Sequence, residues 1–184
     1  MRARNSKRLV IDTDVVQSSG DEAATDPRAI HCRDFFIHCR DFLKEVRSQD
    51  HRVVMTREIS DEWKRHQSRF ALEWRVSMDA RRKIDRINPS ENKELQDKVT
   101  NTTNDKNEIE AMEKDFHLLQ AALATDQTVI SLDETIRGLF KQASQQVGEI
   151  RNIIWVNPDK TTEEQPILWL QNGAPPESHR SLSA

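Results

Sequence analysis

Four carboxylates stand where a small α/β protein does its chemistry. Asp12 follows directly on the aliphatic run Leu9-Val10-Ile11, and Asp133 follows Val129-Ile130-Ser131-Leu132. In an α/β sheet, function collects in the crevice beyond the carboxyl ends of the strands. Glu58 and Glu62 lie four residues apart and so share one face of the helix that follows a second apolar run; Glu62 is the preferred member of the pair. Asp115 stands within a later amphipathic helix, before Leu118-Leu119-Gln120-Ala121-Ala122. A lone Asp12 reads equally as the cap of the following turn, and the two glutamates as residues favouring a positive helix N-terminus. The recurrence of acids at matching places is what points to chemistry. Carboxylates gathered at one crevice repel, and oxygen-rich sets of this kind suit Mg²⁺ or Mn²⁺. A divalent ion so held activates water and stabilises charge on a phosphoryl oxygen, the chemistry of phosphodiester hydrolysis.

The elements that must position these acids are short. Residues 8–11 read as a buried strand, rich in β-branched and aliphatic side chains. A polar loop follows over 17–26, and Asp26-Pro27 gives an N-cap with Pro at the first helical position. The next helix carries a heptad duplication, Ile30-His31-Cys32-Arg33-Asp34-Phe35 and Ile37-His38-Cys39-Arg40-Asp41-Phe42. Positions seven apart on a helix are separated by roughly 10 Å, too far to share a zinc ion with bonds of about 2 Å. Ile30, Phe35 or Phe36, Ile37 and Phe42 instead read as a core-facing stripe. Residues 52–55 are a second strand, and Thr56 caps the helix bearing Glu58 and Glu62. Helical character is expected to run on through Phe70, Trp74 and Ile84, breaking at Asn88-Pro89. The polar segment from about 88 to 108 reads as an insertion or mobile arm. An apolar period returns from Ile109 to Leu123, a third strand covers 128–131, a helix 135–147, and a fourth strand 152–156. Ile167-Leu168-Trp169-Leu170 docks on the body, and a tail from 174 to 184 reads as disordered. Strands alternating with helices predict a three-layer α/β/α fold with a small, mainly parallel central sheet, in one domain over 1–173.

Composition narrows the function classes. Hydrophobic residues make up 35% and charged residues 32% of the 184, a balance suited to amphipathic helices round a small sheet. A net charge of −3 argues against nucleic-acid binding by bulk attraction, while leaving room for local basic stripes. Lys64, Arg65, Arg69, Arg81 and Arg82 fall in the most basic part of the chain and are the candidates for phosphate-backbone contact. Two cysteines do not make a disulfide framework, no run reaches transmembrane length, and the basic N-terminus lacks a signal-peptide apolar stretch. The expectation is a soluble, cytoplasmic chain without a membrane partner. Four glycines, with neither GxGxxG nor GxxxxGK[ST], leave little for a phosphate-cradling loop.

Taken together, Val10-Ile11-Asp12-Thr13-Asp14-Val15, Glu58-Ile59-Ser60-Asp61-Glu62, Asp115 with its Ala-rich helix, and Val129-Ile130-Ser131-Leu132-Asp133 resemble the PIN-domain nucleases. The separation of 18 positions from Asp115 to Asp133 is close to that family's helix-to-strand spacing, and the resemblance spans residues 7–157. It implies that Asp12, Glu62, Asp115 and Asp133 bind Mg²⁺ or Mn²⁺ and carry catalysis, with Ser131 supporting them. Asp14 departs from the family pattern of Asn, Ser or Thr; an extra carboxylate would either recruit a second metal or alter hydrogen bonding. The resemblance further implies an endoribonuclease acting on RNA, many relatives being toxins paired with a protein antitoxin; a homo-oligomer is compatible with the sequence. Two alternatives remain. Asp12-Thr13-Asp14-Val15-Val16 also resembles the nucleophile motif of haloacid-dehalogenase-type phosphatases, with Asp12 as nucleophile, Asp14 as acid/base and Val53-Val54-Met55-Thr56 as second motif, although Ser131-Leu132-Asp133-Glu134 fits that family poorly. The other is a PIN-like module that binds RNA or protein without cutting.

Overall fold

A computed structural model of the chain describes residues 6–20 and 30–184. Strands β1 (Arg8–Ile11), β2 (Arg52–Met55), β3 (Ile84–Arg86), β4 (Thr128–Ile130) and β5 (Ile154–Val156) form one sheet in the order β3-β2-β1-β4-β5. Every strand pairs in parallel with its neighbour. The inner strands are largely apolar because both of their faces are covered: Leu9, Val10, Ile11, Val53, Val54, Val129 and Ile130 have no exposed surface. Helices α1 (Thr13–Gln17), α2 (Ile30–Ser48), α3 (Arg57–His66), α4 (Arg69–Ala80) and α8 (Pro166–Gln171) form one packed group. The second group is α5 (Lys93–Thr100), α6 (Lys106–Leu123) and α7 (Glu134–Ser144), giving the expected three layers. Two indoles tie α3 and α4 down: Trp63 Nε1 donates to the Ile11 carbonyl, and Trp74 Nε1 to that of Leu43.

Several elements differ from the sequence expectation, each for a local reason. Ile84 belongs to a fifth strand rather than to a continuing helix. Helix α4 ends in a Schellman turn, in which Lys83 N–H bonds the Met78 carbonyl and Arg82 N–H that of Asp79. The left-handed position is Arg82 (φ 56°) where Gly is usual, so no glycine marks the stop. Strand β3 itself is a charged edge with only Ile84 buried, which removes the apolar signal. The polar segment 88–108 is no mobile arm. Asn92 caps α5 by accepting from Leu95 N–H, and Leu95 and Val99, four apart, bury the helix against α6 and α7.

The chain end is likewise ordered. Leu182 is buried, its N–H donates to the Ile153 carbonyl, and its own carbonyl accepts from Ser144 Oγ. Arg180 is buried beside Trp169, paired with Glu164 and Glu177. This segment covers the β5 edge, which would otherwise offer unpaired backbone groups. On α2 the buried face is Cys39, Phe42, Leu43 and Val46, while Ile37 is 44% exposed. Ile37 precedes Cys39 by two residues and is thus about 200° round the helix from it. His38 pairs with Asp159 at 2.8 Å. The expected helix start at Asp26-Pro27 lies outside the described residues. Among the described residues no helix is long and apolar enough to cross a membrane.

Candidate active site

The sheet order reverses between β1 and β4: the chain runs from β1 outward through β2 and β3, then returns to lay β4 on the other side of β1. Such a switch point opens a crevice at the strand ends, and the acids meet there. Asp12 leaves β1 with its N–H on the Ile130 carbonyl of β4. Its Oδ1 accepts from Thr13 N–H at 2.6 Å, capping α1, and its Oδ2 accepts from Ser131 Oγ at 2.8 Å. Asp12 is therefore both a turn cap and a crevice acid. Asp14, on the first turn of α1, turns back towards β4. Its Oδ2 accepts from Leu132 N–H at 2.9 Å and lies 3.1 Å from Ser131 Oγ, while its Oδ1 is buried with no hydrogen-bond partner.

Ser131 is fully buried and has one hydroxyl hydrogen for two carboxylates. Its oxygen also accepts from Asp133 N–H. The hydroxyl is placed to donate to either Asp12 Oδ2 or Asp14 Oδ2, one hydrogen serving two acceptors. Burial, and after it the charge of Asp12, push the Asp14 carboxyl up to about 8. Asp12 is also raised, chiefly by burial, with the bonds from Ser131 and Thr13 working the other way. Burial raises Asp115 of α6 to about 6, with Asp12 adding to the rise.

Glu62 joins this group from α3, where its Oε2 accepts from Thr13 Oγ1 at 3.1 Å. Glu58 does not join it. It is exposed and lies only on the wall of an adjoining cavity of about 570 Å³, which Glu62 shares with residues of α5 and α6. Asp133 sits at the rim, exposed, with its Oδ1 on Ile136 N–H as the cap of α7. It is still near enough to Asp115 to raise that group slightly. Thus Asp12, Asp14, Glu62, Asp115 and Ser131 come together, with Asp133 peripheral.

Two contributors were not legible in the sequence. Thr13 orients Glu62, and His117 of α6 puts its Nε2 3.6 Å from Glu62 Oε2. A histidine two residues past Asp115 on a helix was the available signal, and two-residue spacing does not normally share a face. His117 reaches Glu62 across the crevice between helices.

The donors fit a hard divalent cation. They are the carboxylate oxygens of Asp12, Glu62 and Asp115, with the buried, unpartnered Oδ1 of Asp14 behind them. Among the described residues no group of three or more His, Cys, Asp or Glu is arranged as a ready metal cage. Mg²⁺ commonly keeps several waters and takes only one or two carboxylates directly, which such a crevice supplies.

The basic candidates divide into two places. Lys64 and Arg65 lie on α3 just past Glu62, and Arg69 begins α4 beside Ser68, whose N–H bonds Val16 of α1. All three are exposed, with Lys64 and Arg69 in local pairs to Asp61 and Glu73, and Lys64 lining a pocket against α4 and β3. Arg81 and Arg82 lie at the other end of α4, immediately before β3 and hence at the opposite edge of the sheet. Strands of three or four residues separate the two edges by about 10–13 Å, so Arg81 and Arg82 drop out of a single contact stripe. Compared with protein-family models, curated proteins and solved structures, the chain matches none.

Proposed function

We propose that this chain is a divalent-metal-dependent nuclease that hydrolyses phosphodiester bonds, with RNA as its substrate. The observation that carries it is the gathering of Asp12, Asp14, Glu62 and Asp115 from three helices and a strand end at the switch-point crevice, with the Asp12, Asp14 and Asp115 carboxyls raised chiefly by burial. Asp12, Glu62 and Asp115 are the residues that would hold Mg²⁺ or Mn²⁺, with Asp133 at the rim and Asp14 behind Asp12. When bound, the ion supplies activation of water and stabilisation of phosphoryl charge. Ser131 holds Asp12 and Asp14 in register. Thr13 aims Glu62. Lys64, Arg65 and Arg69 provide backbone-phosphate contacts, which position a strand without reading its sequence.

RNA rather than DNA, and a toxin-type role with an antitoxin partner, rest on the family resemblance alone. The phosphatase alternative is less well supported. Thr56, its second-motif residue, is buried with its hydroxyl accepting from Ile59 N–H as the cap of α3. Incubating the purified protein with labelled RNA and DNA, in Mn²⁺ or in chelator, separates the possibilities. Metal-dependent cleavage of RNA is expected. Cleavage unaffected by chelator overturns the metal role, and binding without cleavage points to the non-catalytic module. Capture of a phosphoaspartate at Asp12 would establish the phosphatase instead.

A further inference from the structure

We infer that His117 is a metal-binding residue of this site, its Nε2 and a Glu62 carboxylate oxygen taking the same divalent ion. The inference rests on the nuclease reading, since that reading supplies the ion. It turns an all-oxygen site into a mixed oxygen and nitrogen one.

The ring is set up for this from its far side. His117 Nδ1 lies 3.0 Å from the Lys114 carbonyl oxygen. A carbonyl only accepts, so Nδ1 carries a hydrogen and Nε2 is the ring nitrogen turned towards the crevice. Donation of the second ring N–H to a backbone carbonyl is the usual support of a metal-binding imidazole. Nε2 itself is buried and has no hydrogen-bond partner, in a side chain 13% exposed. What it faces is Glu62 Oε2 at 3.6 Å. At 3.6 Å the two atoms stand too far apart for a good hydrogen bond, whereas a divalent cation between them would engage both. Two donors each about 2.1 Å from one ion stand roughly 3–4 Å apart, which is the separation found.

Glu62 is fixed independently by Thr13 Oγ1. His117 also lies near Asp12 and Asp115, so the imidazole belongs to the acid group rather than to solvent. A nitrogen donor shifts preference away from Mg²⁺, which favours oxygen ligands, towards a transition ion such as Mn²⁺.

The test uses the full chain with one equivalent of Mn²⁺ as probe and pulsed electron paramagnetic resonance as readout. Directly coordinated imidazole gives ¹⁴N modulation of the Mn²⁺ echo. Wild type is expected to show it and H117Q to lack it, with Mn²⁺ affinity falling roughly tenfold or more and Mg²⁺ affinity much less. Circular dichroism checks the fold of H117Q, whose lost ring bond is to a carbonyl of its own helix; the wild-type spectrum tests the coordination without any variant. Mn²⁺ bound without ¹⁴N modulation overturns the inference and leaves the nuclease reading standing. Modulation persisting in H117Q assigns the nitrogen to another histidine and overturns it too. Mn²⁺ binding that is absent, or equal in wild type and D12N, removes the nuclease reading and the inference together.

Discussion

Replacing Asp14 with Asn tests the electrostatics of the crevice in a single side chain. Asn is close to an isostere of protonated Asp14: its carbonyl oxygen can accept from Leu132 N–H and its amide can donate to Ser131 Oγ, the two partners Asp14 has now. The Asp14 carboxyl stands at about 8 in the folded chain against an ordinary 3.8. A folded value above the unfolded one means that the native state holds the proton more tightly. Its stabilising contribution is therefore fully present below pH of about 4 and is lost as pH rises through about 8. Four pH units at 1.36 kcal/mol each set a ceiling of about 5.5 kcal/mol. Relaxation of the site and coupling to Asp12 reduce this to about 2–5 kcal/mol. In chelator, urea unfolding of wild type and D14N from pH 4.5 to 9 should give equal stabilities at the acid end. D14N should be the more stable by that margin at pH 9. Taking the difference removes groups with the opposite sign, such as Asp126, which its bonds to Arg8 hold below the ordinary range. A difference that is flat with pH, or a D14N protein weaker than wild type at pH 9, refutes the buried-proton account.

The two glutamates should separate in a cleavage assay: E62Q should lose most activity and E58Q little, and equal losses would contradict the assignment of Glu62. Alanine at Lys64, Arg65 and Arg69 together should lower the log–log salt slope of single-strand RNA binding by about 2. The R81A/R82A protein should keep the wild-type slope, and the reverse result would move the contact surface to the other edge. At the chain end, R180A leaves buried Glu164 with Arg137 as its remaining cation. Chemical denaturation should show a loss of about 3 kcal/mol, whereas a loss below about 0.5 kcal/mol, the ordinary surface range, would mean that the last segment contributes nothing to the fold.

The central strands were legible because burial on both faces forces continuous apolar runs, as in Leu9-Val10-Ile11 and Val129-Ile130. The edge strand was not, because Ile84 is the only apolar residue of Ile84-Asp85-Arg86, Asp85 pairing with Arg52 of β2, and the strand is preceded by Arg82 in a conformation that glycine usually announces. Helix α5 hid for a similar reason, since eight residues with Leu95 and Val99 as the only apolar side chains among the buried ones carry too little apolar period. At the site, the strand-end rule was enough to find Asp12 and Asp133, and helix spacing to find Glu58 and Glu62. Choosing between the two glutamates needed Thr13 and His117, which approach from other elements. The position of Arg81 and Arg82 depended on the direction of α4 relative to the sheet, which residue spacing along the chain does not encode.

The central claim is that the crevice acids hold a divalent ion that cuts a phosphodiester backbone. Its most direct test is the rate of RNA cleavage in Mn²⁺ by wild type, D12N and D115N, each shown to be folded. Removing either acid should forfeit about 3 kcal/mol or more of transition-state stabilisation, a hundredfold or greater loss of rate, and chelator should abolish wild-type cleavage. Full activity in both variants, or undiminished cleavage in chelator, would contradict it.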